Sequence, residues 1–152
     1  MASNITSLGL IPIRNFGILQ DRLYRSAQPM YGYEYAWLKN MLGLKHIISL
    51  RSECFHDEYL APMHDIKVTS ITVKDHFPPE NDHIKQFLDV IKKNEPTLFH
   101  CEHGHGRTST FSVIAKMRNG MSVEEAIQHE KDFFHYEFKH KAQEEFLRDL
   151  KL

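Results

Sequence analysis

Cysteine is scarce. Two residues in 152 cannot build a disulfide framework, which points to a reducing compartment or to a reactive thiol. No apolar run approaches about 18 residues, so a membrane-spanning helix is excluded and no membrane partner is expected. The opening MASNITSLGLIPIRNFG lacks a basic stretch followed by a long apolar one; an export signal is therefore not expected, and a cytoplasmic location is. Repeats, low-complexity tracts and Gly/Ser-rich linkers are missing, so residues 1–152 are read as one domain. Neither sign of charge dominates, with 19 Lys+Arg against 20 Asp+Glu, which argues against bulk nucleic-acid binding.

What is present describes a globular chain: 41% hydrophobic and 26% charged residues. Histidine is abundant, at 11 copies, so mild acidification makes the molecule markedly cationic. Residues 16–25 read as two short strands around a Gln20-Asp21 turn. A helix is predicted over 31–42, with Tyr35, Leu38 and Leu42 on one face and Gly43 as its stop. KHIISLR (45–51) suits a buried strand, 57–64 a short helix, and the β-branched stretch 66–73 another strand. Ile84, Phe87, Leu88 and Ile91 mark an amphipathic helix that Pro96 ends. Residues 97–101 form a short strand, and 107–120 a helix closed by Gly120. Ser122 and Glu125 form a capping box for the next helix. A last helix is expected from about 137 to 150, presenting Phe138, Ala142, Phe146 and Leu150. Strands alternating with helices imply an α/β domain whose mostly parallel sheet of about 4–5 strands is covered on both faces. Trp37, Phe87, Phe111 and Phe146 are core candidates.

The chemistry concentrates in His100-Cys101-Glu102-His103-Gly104-His105-Gly106-Arg107-Thr108. A cysteine closes a strand, a loop with two glycines follows, and an arginine opens a helix. Gly104 and Gly106 let the backbone fold tightly, so that N–H groups of residues 102–107 can point inward. The helix start adds free N–H groups and the positive dipole end. Together they make a cup for a tetrahedral dianion, and the same field favours the thiolate of Cys101, the nucleophilic form. Arg107 closes the cup with a planar fork that lysine lacks. Thr108 can donate its hydroxyl hydrogen to the sulfur.

The Cys-x5-Arg-Thr pattern after His100 resembles the signature loop of the cysteine-based protein tyrosine phosphatase superfamily. That resemblance implies a tyrosine-phosphatase-like fold and a general acid on a loop upstream, because an alkoxide leaves poorly unless protonated. Asp75, in Val73-Lys74-Asp75-His76-Phe77, fits that place; Asp82 and Asp57 are the alternatives, and Asp82 suits a first-turn acid of its helix. DHFPPENDHIKQFL followed by FHCEHGHGRTSTF resembles, within the superfamily, the tyrosine-phosphatase-like phytases, over about residues 72–150. The chain departs from them at His103 and His105, and in having Phe77 where the acid loop usually carries Trp. The resemblance implies phosphate-monoester hydrolysis through a cysteinyl-phosphate, with inositol polyphosphates such as phytate as substrate. It needs no metal or cofactor and is expected of a monomer. Loop residues Glu102 to Gly106, with His76, Lys74, Arg25 and Lys139, are then the expected substrate contacts. Lys141, His135, Tyr136 and His140 are weaker candidates for the same wall.

Plainer roles stand beside these. His103 and His105 either line the cup or face solvent, and with His100 they could ligate a metal. His100 is better placed to bond backbone and hold the loop. Arg51 is as well suited to a structural ion pair as to substrate. Cys54 is either an idle thiol or a reversible disulfide partner protecting Cys101. Two rival functions remain: a dual-specificity protein phosphatase, which shares the chemistry but needs a less basic rim, and a catalytically inactive phosphate-binding module.

Overall fold

The computed structural model describes residues 10–51, 56–134 and 141–152. Its centre is a five-stranded sheet of β1 (Gly17–Gln20), β2 (Leu23–Ser26), β3 (His46–Ser49), β4 (Lys67–Ser70) and β5 (Thr97–His100), in the spatial order β1-β2-β5-β3-β4. Only β1 runs antiparallel, joined to β2 by a tight turn; the other neighbours are parallel. The helices are α1 (Gly32–Leu42), α2 (His56–Leu60), α3 (Asn81–Ile91), α4 (Gly106–Arg118), α5 (Val123–Phe134) and α6 (Lys141–Asp149), with a 3₁₀ turn at Pro62–His64. The α/β architecture read from the sequence is the one observed.

Alternation along the central strands divides the core. Ile47 and Leu98 face α1, in a cluster with Tyr35, Leu38 and Leu44. Their neighbours Ile48 and Phe99 face the opposite side, against Phe87 of α3, Phe111 of α4, Ile127 of α5 and Leu147 of α6. Phe87 packs edge-on to Phe99 and Phe111, with centroids 5.1 and 4.9 Å away. Helix α4 runs through the middle of this layer; every side chain from Arg107 to Lys116 is buried. Trp37 and Phe146 are only partly buried, Trp37 against Phe16. Helix α1 stops as predicted, with Gly43 at φ 61° and its N–H on Lys39 O.

Three expectations need adjusting. Strands β3 and β4 are shorter than the apolar runs that announced them: β3 ends at Ser49, and the edge strand β4 ends at Ser70, after which the Val73 N–H turns back onto Ile71 O. Helix α4 starts at Gly106, one residue early. The last helix is described from Lys141 and buries Gln143 and Leu147, while Ala142 is exposed and Phe146 and Leu150 are half-buried. The packed stripe therefore lies one residue beyond the predicted face. Phe138 lies outside the described residues.

Register places Ser26, Ser49 and His100 level with one another, and Ser70 level with Ser49. The segments that leave these strand ends meet at the carboxyl edge of the sheet, where open α/β sheets hold their ligands.

Candidate active site

Cys101 leaves β5 at that edge and is 4% exposed. The loop after it is tied down by its carbonyls. Glu102 O accepts from the Gln28 N–H at 3.0 Å, His103 O from Asn15 Nδ2 at 2.5 Å, and Gly104 O from Arg25 Nη2 at 2.7 Å. In a trans peptide the C=O and N–H point opposite ways. Anchoring three successive carbonyls to surrounding protein therefore turns the N–H groups of His103, Gly104 and His105 away from those anchors. That is the arrangement a phosphate cup needs. Gly104 is obligatory here: its φ is 78°, and a Cβ would lie 2.8 Å from Ala27 N.

Thr108, in the first turn of α4, donates to Cys101 Sγ at 2.9 Å. Arg107 is 2% exposed, and its Nη1 donates to Val73 O at 3.0 Å and to Leu50 O at 3.4 Å. Two strand-end segments thus fix the guanidinium. Its Nη2 lies 3.7 Å from Asp75 Oδ1. Asp75 is half-exposed, and its other oxygen is 3.5 Å from His76 Nε2. His76 adopts φ 71°, which turns the chain sharply after Asp75. Lys74 Nζ lies over the exposed Phe77 ring, 4.6 Å from its centroid.

Behind the loop, the buried His100 uses both ring nitrogens: Nδ1 lies 3.0 Å from Cys101 O, and Nε2 pairs with Asp57 Oδ2. Asp57 Oδ1 accepts from Tyr35 Oη at 2.5 Å and Gln28 Nε2 at 3.1 Å. Burial by itself pushes the Asp57 carboxyl up, but His100, Tyr35 and Gln28 together outweigh burial and hold it below its ordinary value. This carboxylate is 4% exposed. It orients the strand end and is not placed to protonate a leaving group, so the alternative assignment of Asp57 as acid is discarded. Asp82 accepts from Gln86 Nε2 at 3.4 Å within the first turns of α3, as a first-turn acid should.

Arg25 also departs from expectation. It is wholly buried, ion-paired with Glu130 and stacked on Phe134, with its Cζ 3.9 Å from the ring centroid. It supports the loop from beneath and cannot be a substrate contact. With both its nitrogens engaged, His100 is no companion ligand for His103 and His105. His103 is exposed; His105 is half-buried, with Nε2 3.4 Å from Asn15 Nδ2. Arg51 forms the ion pair that the sequence left open, with Nη2 3.7 Å from Glu102 Oε1, and reaches Gln28 Oε1 at 3.3 Å. Lys141 is exposed at the start of α6. Cys54, His135, Tyr136, Lys139 and His140 lie outside the described residues. Sequence reasoning missed Asn15, Gln28 and Glu130. Asn15 carried one signal, since Asn tolerates the left-handed backbone it adopts at φ 55°.

Comparison with known proteins follows the same lines. The model of a family described as "DSP-PTPase phosphatase fused to NAD+ Kinase" matches residues 19–149. Among curated proteins, none matches. Among solved structures, Tk-PTP in its active form superposes with a TM-score of 0.80 at 20% identity, over 93% of this chain and 97% of that one. The core catalytic domain of the PP-IP phosphatase SIW14 from S. cerevisiae gives 0.79 at 22%, over 94% and 89%. TpbA of P. aeruginosa gives 0.77 at 20%, over 91% and 86%.

Proposed function

Because the chain belongs to the family of DSP-PTPase phosphatases described as fused to NAD+ kinase, and so to the cysteine-based phosphatases, we propose that it hydrolyses phosphate monoesters of inositol polyphosphates at Cys101. The thiolate attacks phosphorus while the bond to the ester oxygen breaks, and Asp75 gives that oxygen a proton. Water then attacks the cysteinyl-phosphate. Asp75 takes a proton from the water, inorganic phosphate leaves, and the thiolate returns. Thr108 Oγ1, 2.9 Å from the sulfur, stabilises the thiolate as it departs. Arg107 and the amides of 102–107 hold the equatorial oxygens as charge shifts between them. The field comes from backbone and guanidinium, and the scheme uses no metal or cofactor.

The rim carries the substrate reading. Lys74, His76 and His103 stand exposed around the loop, with the side chains of His76 and His103 61% and 64% accessible. A lysine and two imidazoles on one rim suit a substrate with several phosphates. The SIW14 core, named a PP-IP phosphatase, lends the same reading support.

The family description favours a second substrate, because NAD+ kinase makes a 2′-phosphate monoester. The test is a side-by-side measurement of kcat/KM on phytate, a pyrophosphorylated inositol phosphate, a phosphoinositide, a phosphotyrosine peptide and NADP+. Soluble inositol phosphates should lead by at least about tenfold, the ratio that about 1.4 kcal/mol of extra rim binding gives. A lead for the phosphotyrosine peptide would establish a protein phosphatase instead, and a lead for NADP+ the second reading.

A further inference from the structure

Beneath the loop lies a group of charges that the scheme above does not use. Arg25 of β2, Lys116 of α4 and Glu130 of α5 are all buried, at 0%, 7% and 0% exposure. Glu130 uses one oxygen for Arg25. Its other oxygen accepts from Lys116 Nζ at 2.7 Å and Ser112 Oγ at 2.8 Å. Arg25 in turn donates to Gly104 O at 2.7 Å, and its Nη2 also lies 3.3 Å from Ser109 Oγ. The guanidinium and the Lys116 ammonium share the Phe134 ring.

One carboxylate thus holds two cations. Burial pushes Arg25 down to about 9 against the pull of Cys101, and burial followed by the neighbouring Arg25 pushes Lys116 down to about 7. Both cations are costly to keep charged there, and Glu130 is the anion that both contact. With Glu130 ionised and Lys116 protonated, the group carries a net positive charge under the loop, which favours an anion above it.

We propose that Glu130 is a positioning residue for phosphoryl transfer: it fixes the Arg25 guanidinium that draws the Gly104 carbonyl out of the loop and so aims the following amide at the phosphate. The inference rests on the reading of residues 101–107 as the phosphate site. Glu130 touches neither the sulfur nor the loop. It acts through Arg25, and Ser112 and Lys116 fasten it to the helix that starts at the loop.

The experiment compares wild type, Glu130→Gln, Arg25→Lys and the double variant on p-nitrophenyl phosphate, each first confirmed folded by its unfolding midpoint. Glu130→Gln removes the charge and keeps the shape. Since loss of one member of a buried ion pair can unfold a small domain, Arg25→Lys is the second variant; it keeps a cation beside Glu130 but lacks the fork that also reaches Gly104. Each folded single variant should lose about 10–100-fold in kcat, the effect of a misaimed donor, while KM changes less than about threefold. The double variant should be no slower than the slower single one, as expected of residues acting in series. A folded single variant with kcat within about threefold of wild type overturns the inference, as do fully multiplicative losses in the double variant. Should Glu130→Gln not fold, Arg25→Lys decides alone. Failure of the underlying reading looks different: wild type itself is then inert, or Cys101→Ser still turns over.

Discussion

Replacing Asp57 by Asn separates a carboxylate that holds the site from one that does chemistry. Asp57 is almost fully buried, receives hydrogen bonds from Tyr35 and Gln28, and pairs with His100 behind the nucleophile. Asn keeps the shape and the acceptor oxygen that Tyr35 and Gln28 use, and loses the charge that His100 faces. Breaking a buried pair by removing one charge costs about 3–5 kcal/mol, and the lower end applies because those two hydrogen bonds survive. In a domain of this length about 3 kcal/mol lowers Tm by roughly 6–12 °C.

The sign of the pH effect follows from the depressed carboxyl. The folded state keeps Asp57 ionised below the pH at which the unfolded chain protonates it. Its stabilisation is therefore complete above about pH 4 and fades as pH falls further. The gap in Tm between wild type and variant should be widest near neutrality and shrink toward about pH 3. Calorimetric scans across that range test this, paired with kcat on an aryl and an alkyl phosphate at 25 °C. Any loss of rate should be equal for the two substrates, because Asp57 donates no proton to the leaving group. A Tm within about 2 °C of wild type at neutral pH refutes the structural role, and a loss confined to the alkyl phosphate restores Asp57 as the acid.

Asp75→Asn should slow an alkyl phosphate by about 10²–10³-fold and an aryl phosphate much less, since phenolates leave unaided; equal losses would assign the acid elsewhere. Thr108→Val should slow hydrolysis of the cysteinyl-phosphate about tenfold while its formation stays near wild type, for one hydrogen bond to the departing thiolate; rapid-quench kinetics separate the two steps, and an unchanged second step would contradict that role. Raising salt from about 0.05 to 0.5 M should depress kcat/KM on phytate several times more than on p-nitrophenyl phosphate, by screening Lys74, His76 and His103; equal sensitivity would remove the polyanion rim.

The strand, loop and helix around Cys101 were legible because every signal there is local: an apolar run, glycines, an arginine and a helix pattern within a few residues of each other. The mostly parallel sheet follows from the same alternation of strand and helix, whereas its strand order β1-β2-β5-β3-β4 does not. What escaped is what depends on distant partners. Arg25 looks like a free cation beside a strand end, and only Glu130 and Phe134 make it a buried prop. Only position along the chain tells Asp57 from Asp75. Tyr35, Gln28 and His100 bury the one, while the other stays half-exposed beside Arg107. Asn15 reaches the loop from the far end of the chain through a single side-chain amide. The frayed ends of β3 and β4 reflect chain that leaves the sheet to supply Leu50 O and Val73 O to Arg107, a demand of the site that hydropathy does not encode.

The central claim is that the phosphoryl group passes through the sulfur of Cys101. Acid quenching of the enzyme during turnover, followed by mass spectrometry of its peptides, reads this directly. The expected result is one phosphoryl group on the peptide that carries Cys101, absent from Cys101→Ser, which should also be inactive. Phosphate on a different residue, or turnover by Cys101→Ser at more than about a hundredth of the wild-type rate, where loss of the nucleophile should cost far more, would contradict it.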